Sequence, residues 1–350
     1  MTQNNRNILS RRSASCLSII FDRPRVINSL NEAMIDSIEA LLDEAENDES
    51  CSFVVFYSTS PRGFCAGGDV KELARLAGEG RFDQVDSFFS KEYAMDLRIH
   101  RFPKPVVAVA DGITMGGGLG IAAGADICIA TPATQMAMPE TIIGFFPDVG
   151  ATGWMFSICP KGYPEYLGLT GYGMTGSECV RLGFATHLVP AGDIPELIRQ
   201  LENISAGSAT GRRELAGRLK QKISVFAVTD IPSNHVLDEW VKTYFDGRDD
   251  LREILASLAE CHGRQEYCGE VFKSIAQRSP TALVLTLKLL RHNEGRSLED
   301  VFASEFRAAR YISRHPDYRE GIRARLVDRD DNPQWRPPEL DLVDLSDFTP

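Results

Sequence analysis

Val106-Val107-Ala108-Val109-Ala110-Asp111-Gly112-Ile113-Thr114-Met115-Gly116-Gly117-Gly118-Leu119-Gly120-Ile121 decides the fold class. Five apolar residues read as a buried strand over Val106 to Ala110. A glycine-rich loop follows over Gly112 to Gly120, and a helix begins at Ile121 to Ala125. Ile127 to Ala130 is a further strand. Upstream the same order appears once already. Phe53 to Tyr57 reads as a strand, Arg62-Gly63-Phe64-Cys65-Ala66-Gly67-Gly68-Asp69 as a glycine loop, and a helical stretch starts at Asp69. Strands alternating with helices predict an α/β core with mostly parallel strands.

Other elements fit that frame. Ile8 to Ser10 and Cys16 to Phe21 read as a hairpin, which leaves about five leader residues at an Arg- and Ser-rich start. Met34, Ile35, Ile38, Leu41, Leu42 and Ala45 follow helical spacing, with Asn31 as cap. Thr175-Gly-Ser-Glu178 reads as a capping box, and Thr186 to Val189 as the strand that closes the core. The stretch 205–211 is small and polar, a linker. Beyond it Ala282 to Arg291 reads as a buried helix, and Ser297 caps another that carries Val301, Phe302, Phe306 and Ile312. The expected division is 1–204 α/β core, 205–330 helical region and 331–350 extended tail.

The net charge of -11 argues against a nucleic-acid surface. No apolar run reaches the roughly 18 to 20 residues of a membrane span. The eight cysteines form no C-x-x-C pair and read as free thiols, and the six histidines show no metal-ligand spacing. No metal is expected. The Arg- and Ser-rich start, free of acids up to Asp22, resembles a transit peptide. With the hairpin leaving about five leader residues and no secretory h-region, the chain reads as cytoplasmic.

Two acids carry the chemistry. Glu140 and Asp148 stand in Met138-Pro-Glu140-Thr-Ile-Ile-Gly144-Phe-Phe-Pro-Asp148-Val-Gly150, amid apolar residues where charge is rare unless paired or used. In such a setting two carboxyls can take different pKa values and different roles. A salt bridge for Glu140 and a plain N-cap for Asp148 are the structural alternatives. The glycine loops could supply backbone N–H groups to an oxyanion. Three readings compete: a dinucleotide fingerprint at Gly118-x-Gly120-x-x-Ala123, a nucleophile elbow with Cys65, and simple turns.

At these residues the chain resembles the enoyl-CoA hydratase/isomerase superfamily, the crotonase fold. The carriers are Asp22-Arg-Pro-Arg-Val-Ile-Asn-Ser-Leu30, Phe64-Cys-Ala-Gly-Gly-Asp69, the triple glycine 116–118, and Met-Pro-Glu140 followed by Gly144. Gly112 to Gly118, Ala137 to Gly150, and His315-Pro-Asp-Tyr-Arg-Glu-Gly-Ile-Arg-Ala-Arg-Leu-Val-Asp-Arg-Asp330 through Trp335-Arg-Pro337 resemble its 3-hydroxyisobutyryl-CoA hydrolase branch. The likeness runs from about residue 8 to about 340.

The resemblance implies a spiral of ββα units with a helical C-terminal region, and a coenzyme A thioester hydrolase of valine breakdown. It places an oxyanion hole at the N–H groups of Ala66 and Gly117, and catalytic acids at Glu140 and Asp148. Glu92 falls on a substrate-pocket glutamate. Phe64, Gly67, Gly68, Asp69, Gly116 and Arg25 would line the acyl-CoA site. Arg23, Arg62, Lys288 and Arg291 fall near positions that neighbour coenzyme phosphates. Family hydratases carry a second glutamate where this chain has Gly120, which favours hydrolysis over hydration. Asp148 is expected at a helix start that keeps it ionised, while Phe145 and Phe146 raise the pKa of Glu140. No cofactor is implied beyond the coenzyme A of the substrate, and a homo-oligomer is compatible with this reading.

Overall fold

The computed structural model describes residues 7–205, 211–261 and 264–350. Most of the linker read at 205–211, and nearly all of the leader, lie outside the described residues. Among the described residues ten strands follow in chain order: β1 (Ile8–Ser13), β2 (Cys16–Phe21), β3 (Phe53–Ser58), β4 (Gly63–Cys65), β5 (Val106–Ala110), β6 (Ile113–Met115), β7 (Ile127–Ala130), β8 (Gln135–Ala137), β9 (Met174–Thr175) and β10 (His187–Leu188).

The chain divides into two compact units, each assembled from three segments. One comprises residues 1–68, 94–136 and 174–233; the other comprises 69–93, 137–173 and 234–350. The cut expected at 204/205 does not coincide with this division, because both units draw on residues far apart in sequence.

The first unit carries the strands, with only Ala137 counted in the other. One sheet has the order β1-β2-β3-β5-β7-β10, and a second has β4-β6-β8-β9. The β1/β2 hairpin is antiparallel, with Ser13 opposite Cys16. Pairings β2/β3, β3/β5, β5/β7 and β7/β10 are parallel, as expected where helices make the connections. Alternate residues Phe53, Val55 and Tyr57, Val107 and Val109, and Ile127 and Ile129 face one cluster. Leu197, Leu201, Leu215 and Leu219, from helices Ile194–Glu202 and Arg212–Ile223, cover it. Each such side chain contributes roughly 1.5–3 kcal/mol by leaving water.

Helix Glu32–Asn47 starts at Asn31, whose side chain accepts from the Met34 N–H at 2.9 Å. The helix expected from Ile121 begins four residues sooner, at Gly117. Packing is the cause: a Cβ on Gly118 would lie 2.4 Å from the Cys65 carbonyl oxygen, so only glycine lets this helix sit against β4.

The second unit is helical. Helix Pro280–Asn293 is buried nearly all round, and its N-cap Ser279 accepts from the Ala282 N–H and donates to Asp317 at 2.6 Å. Helix Leu298–Ile312 is capped by Ser297. Helix Pro316–Ile322 backs the acid-bearing loop. A Cβ on Gly144 would lie 2.2 Å from the Asp317 carbonyl oxygen, and one on Gly321 2.4 Å from the Ile143 carbonyl carbon. Cys261 and Cys268 form a disulfide, against the expectation of free thiols throughout; the other six cysteines are free. Among the described residues no helix is long and apolar enough to cross a membrane.

Candidate active site

The second unit gathers the predicted acids. Glu140 opens the short turn Glu140–Ile143 after Pro139, and Gly144 ends it in the left-handed region at φ 73°. Arg278 fixes this turn by donating to Thr141 Oγ1 at 2.6 Å and to the Thr170 carbonyl. Glu92 and Tyr93 come from helix Phe82–Arg101. Glu92, Glu140 and Asp148 are 2%, 8% and 5% exposed, so Glu92 does not lie on a solvated helix face.

Asp148 is gripped in an unusual turn. Val149 and Gly150 both take positive φ, 53° and 80°, and a β-branched residue there is strained. Neighbours hold the strain in place. Trp154 Nε1 donates to the Val149 carbonyl at 3.0 Å. Glu305 accepts from the Gly150 N–H at 2.6 Å, the Thr152 N–H at 3.1 Å and the Thr152 hydroxyl at 2.5 Å. The helix start after Asp148 thus serves Glu305, which corrects the expectation that it stabilises Asp148. The Asp148 carboxylate instead accepts the Tyr93 hydroxyl at 2.8 Å.

Burial raises every carboxyl in this cluster. It lifts Asp148 to about 7, with the Tyr93 hydrogen bond opposing. It lifts Glu140 well above the usual range, with Asp148 adding repulsion and Arg278 offsetting part. Glu92 rises through burial, then through Asp148 and Glu140. Glu305 rises to about 8 through burial despite its donors. Glu140 and Asp148 therefore form a coupled pair that holds protons more tightly than ordinary carboxyls do. Among the described residues Glu92 Oε1, Glu140 Oε2 and Tyr318 Oη are buried without a hydrogen-bond partner.

The first unit holds the glycine loops. Strands β4 and β6 run parallel, and a Cβ on Gly67 would lie 3.1 Å from the Met115 carbonyl oxygen and 3.4 Å from the Gly117 nitrogen. The two loops therefore meet. Gly116, at φ 49° and ψ −128°, turns the chain into the helix. The N–H groups of Gly117 and Gly118 lie ahead of that helix's first internal bond, at Leu119. Ala66 differs from expectation: its N–H donates to the Ile27 carbonyl at 2.9 Å, because residues 27–30 lace this loop. Asn28 Nδ2 donates to the Phe64 carbonyl at 2.8 Å, and Leu30 pairs with Gly68.

Phe64 is buried edge-on against Phe21, a core contact. The Cys65 thiol is buried and donates to the Asn28 carbonyl, which argues against a nucleophile elbow. Asp69 precedes helix Val70–Gly78. Arg25 and Arg62 are exposed. Arg23 donates to the Ser29 carbonyl, Lys288 to the Phe348 carbonyl, and Arg291 pairs with Glu165. These last three are held by the protein itself.

Tyr93, Arg278, Glu305 and Tyr318 were missed from sequence. Glu305 had a signal: it interrupts the buried stripe Val301, Phe302, Ala308, Ala309, Ile312, where an acid needs a reason.

The family described as enoyl-CoA hydratase/isomerase matches residues 16–349. A mitochondrial 3-hydroxyisobutyryl-CoA hydrolase of Gallus gallus is 33% identical over 98% of this chain and 87% of its own. Small ribosomal subunit protein mS47 of Schizosaccharomyces pombe is 31% identical over 99% of this chain and 81% of its own. A solved carnitinyl-CoA dehydratase of Mycobacterium thermoresistibile superposes with a TM-score of 0.87 at 33% identity, covering 98% and 95% of the two chains. The hydrolase relative is mitochondrial by name, which overturns the cytoplasmic placement.

Proposed function

The chain belongs to the enoyl-CoA hydratase/isomerase family, and we propose that it hydrolyses short hydroxyacyl-coenzyme A thioesters, with 3-hydroxyisobutyryl-CoA as favoured substrate. The observation that carries this reading is the buried Glu140–Asp148 pair, in which Asp148 accepts the Tyr93 hydroxyl and Glu140 Oε2 has no partner among the described residues. Ionised Asp148 takes the proton of Glu140. Glu140 then supplies the electron pair to the thioester carbon, directly or through water. The C–S bond breaks, and Asp148 returns the proton to the leaving thiolate. Water completes the exchange to acid and free thiol. The Gly117 N–H is the donor this reading assigns to the carbonyl oxygen; such a donor contributes roughly 3 to 4 kcal/mol. Gly120, buried on its helix, has no side chain to hold the water of a hydratase.

The name of the hydrolase relative supports hydrolysis. Glu140→Gln and Asp148→Asn, each checked for folding, should cut thiol release by roughly 10²–10⁴-fold. Near-normal turnover in both would overturn the assignment. The ribosomal relative favours a second reading, a crotonase-like subunit that binds partners. That reading expects no turnover of any acyl-CoA by the folded wild type.

A further inference from the structure

Tyr318 lies at 0% exposure with its ring tilted on Phe145, centroids 5.4 Å apart. Phe145 in turn stacks on Phe89 and Phe146. A tyrosine so placed could be phenylalanine if packing were its only role. Its hydroxyl instead has no partner among the described residues, and neither does Glu92 Oε1. Both Glu92 and Asp148 lie close enough for their charge to act on the Tyr318 hydroxyl. A buried hydroxyl left unpaired costs roughly 10- to 100-fold in an equilibrium, so its retention calls for a partner that arrives with the ligand.

We propose that Tyr318 is a specificity-determining residue whose hydroxyl donates to an oxygen on the acyl chain beyond the thioester carbonyl, while Glu92 accepts that group's own proton. A hydroxyl is the smallest substituent that satisfies both, since it donates once and accepts as well. A plain branched acyl group would leave both protein atoms unpaired, and sites of this kind discriminate against the analogue that lacks the polar group. Phe145 and Phe146 offer apolar surface to the acyl carbons. The inference rests on the acyl-CoA hydrolase reading and deepens it.

The test compares the preference ratio, kcat/KM for 3-hydroxyisobutyryl-CoA over kcat/KM for isobutyryl-CoA, in wild type and Tyr318→Phe. The phenylalanine keeps the ring against Phe145, and a thermal melt checks folding. The ratio should fall by roughly 10- to 100-fold in the variant. An unchanged ratio, with both substrates losing equally or neither losing, overturns the proposal and makes Tyr318 a packing or water-holding residue. Calorimetric binding of the corresponding non-hydrolysable thioether analogues separates the two claims. If the wild type turns over no thioester, the hydrolase reading fails. Tyr318 selectivity then stands or falls on whether Tyr318→Phe lowers the binding preference for the hydroxylated analogue.

Discussion

Replacing Glu305 with Gln should flatten the pH dependence of stability by an amount set by its buried carboxyl. Burial lifts the folded-state pKa of Glu305 to about 8 from the ordinary 4.5. The native state then holds a proton that the unfolded state has released, so stability falls as pH rises from about 4.5 through 8 and levels off above. At pH 6 a native pKa of about 8 contributes about 3 kcal/mol relative to the fully ionised limit, and at pH 9 almost nothing. Glutamine cannot titrate. The stability of the wild type minus that of the variant should therefore fall by about 3 kcal/mol over that range, leaving the variant the more stable at pH 9. Contributions from histidines and cysteines largely cancel in the comparison. A pH-independent loss of about 1–3 kcal/mol is superimposed, because the amide turns an NH₂ toward a donor at Gly150 or Thr152. Urea unfolding at pH 6, 7, 8 and 9, extrapolated to water, reads both effects. A wild-type-minus-variant stability that stays constant or rises with pH would refute the proton-holding role of Glu305.

Tyr93→Phe removes the hydroxyl that favours ionised Asp148. The acid limb of the kcat profile should move upward by about 0.4 to 1 pH unit, matching a hydrogen bond of about 0.5–1.5 kcal/mol; an unmoved limb would remove Asp148 from the rate-controlling titration. Gly118→Ala must displace the Cys65 backbone, with its Cβ 2.4 Å from the carbonyl oxygen, and should cost more than about 3 kcal/mol in urea unfolding. Gly217→Ala meets nothing within 4 Å in the exposed face of helix Arg212–Ile223 and should stabilise by about 0.5–1 kcal/mol. Equal effects at the two glycines would contradict the close-packing account.

Strands β5 and β7 were readable because their apolar runs end at Asp111 and Thr131, and the Asn31 and Ser297 caps were readable because capping is local chemistry. The helix at Gly117 was not. Three glycines argue for a loop by propensity, and the helix exists because β4 packs against it. The acids Glu140 and Asp148 stood out against apolar neighbours. Their supports did not, since Arg278, Glu305 and Tyr318 lie more than 100 residues away along the chain. Asp148 shows the same limit. Its sequence neighbours promised a stabilising helix start, but Glu305 takes those donors and Tyr93 replaces them. The interleaved units were hidden for a related reason: the segment 137–173 folds with helices beyond residue 234.

The most direct measurement is free thiol released by the purified wild-type protein from 3-hydroxyisobutyryl-CoA, run beside loss of enoyl absorbance with crotonyl-CoA. The account predicts rapid stoichiometric thiol with the hydroxyacyl thioester and little loss of enoyl absorbance. Fast hydration without thiol release, or no turnover of either by folded protein, would contradict it.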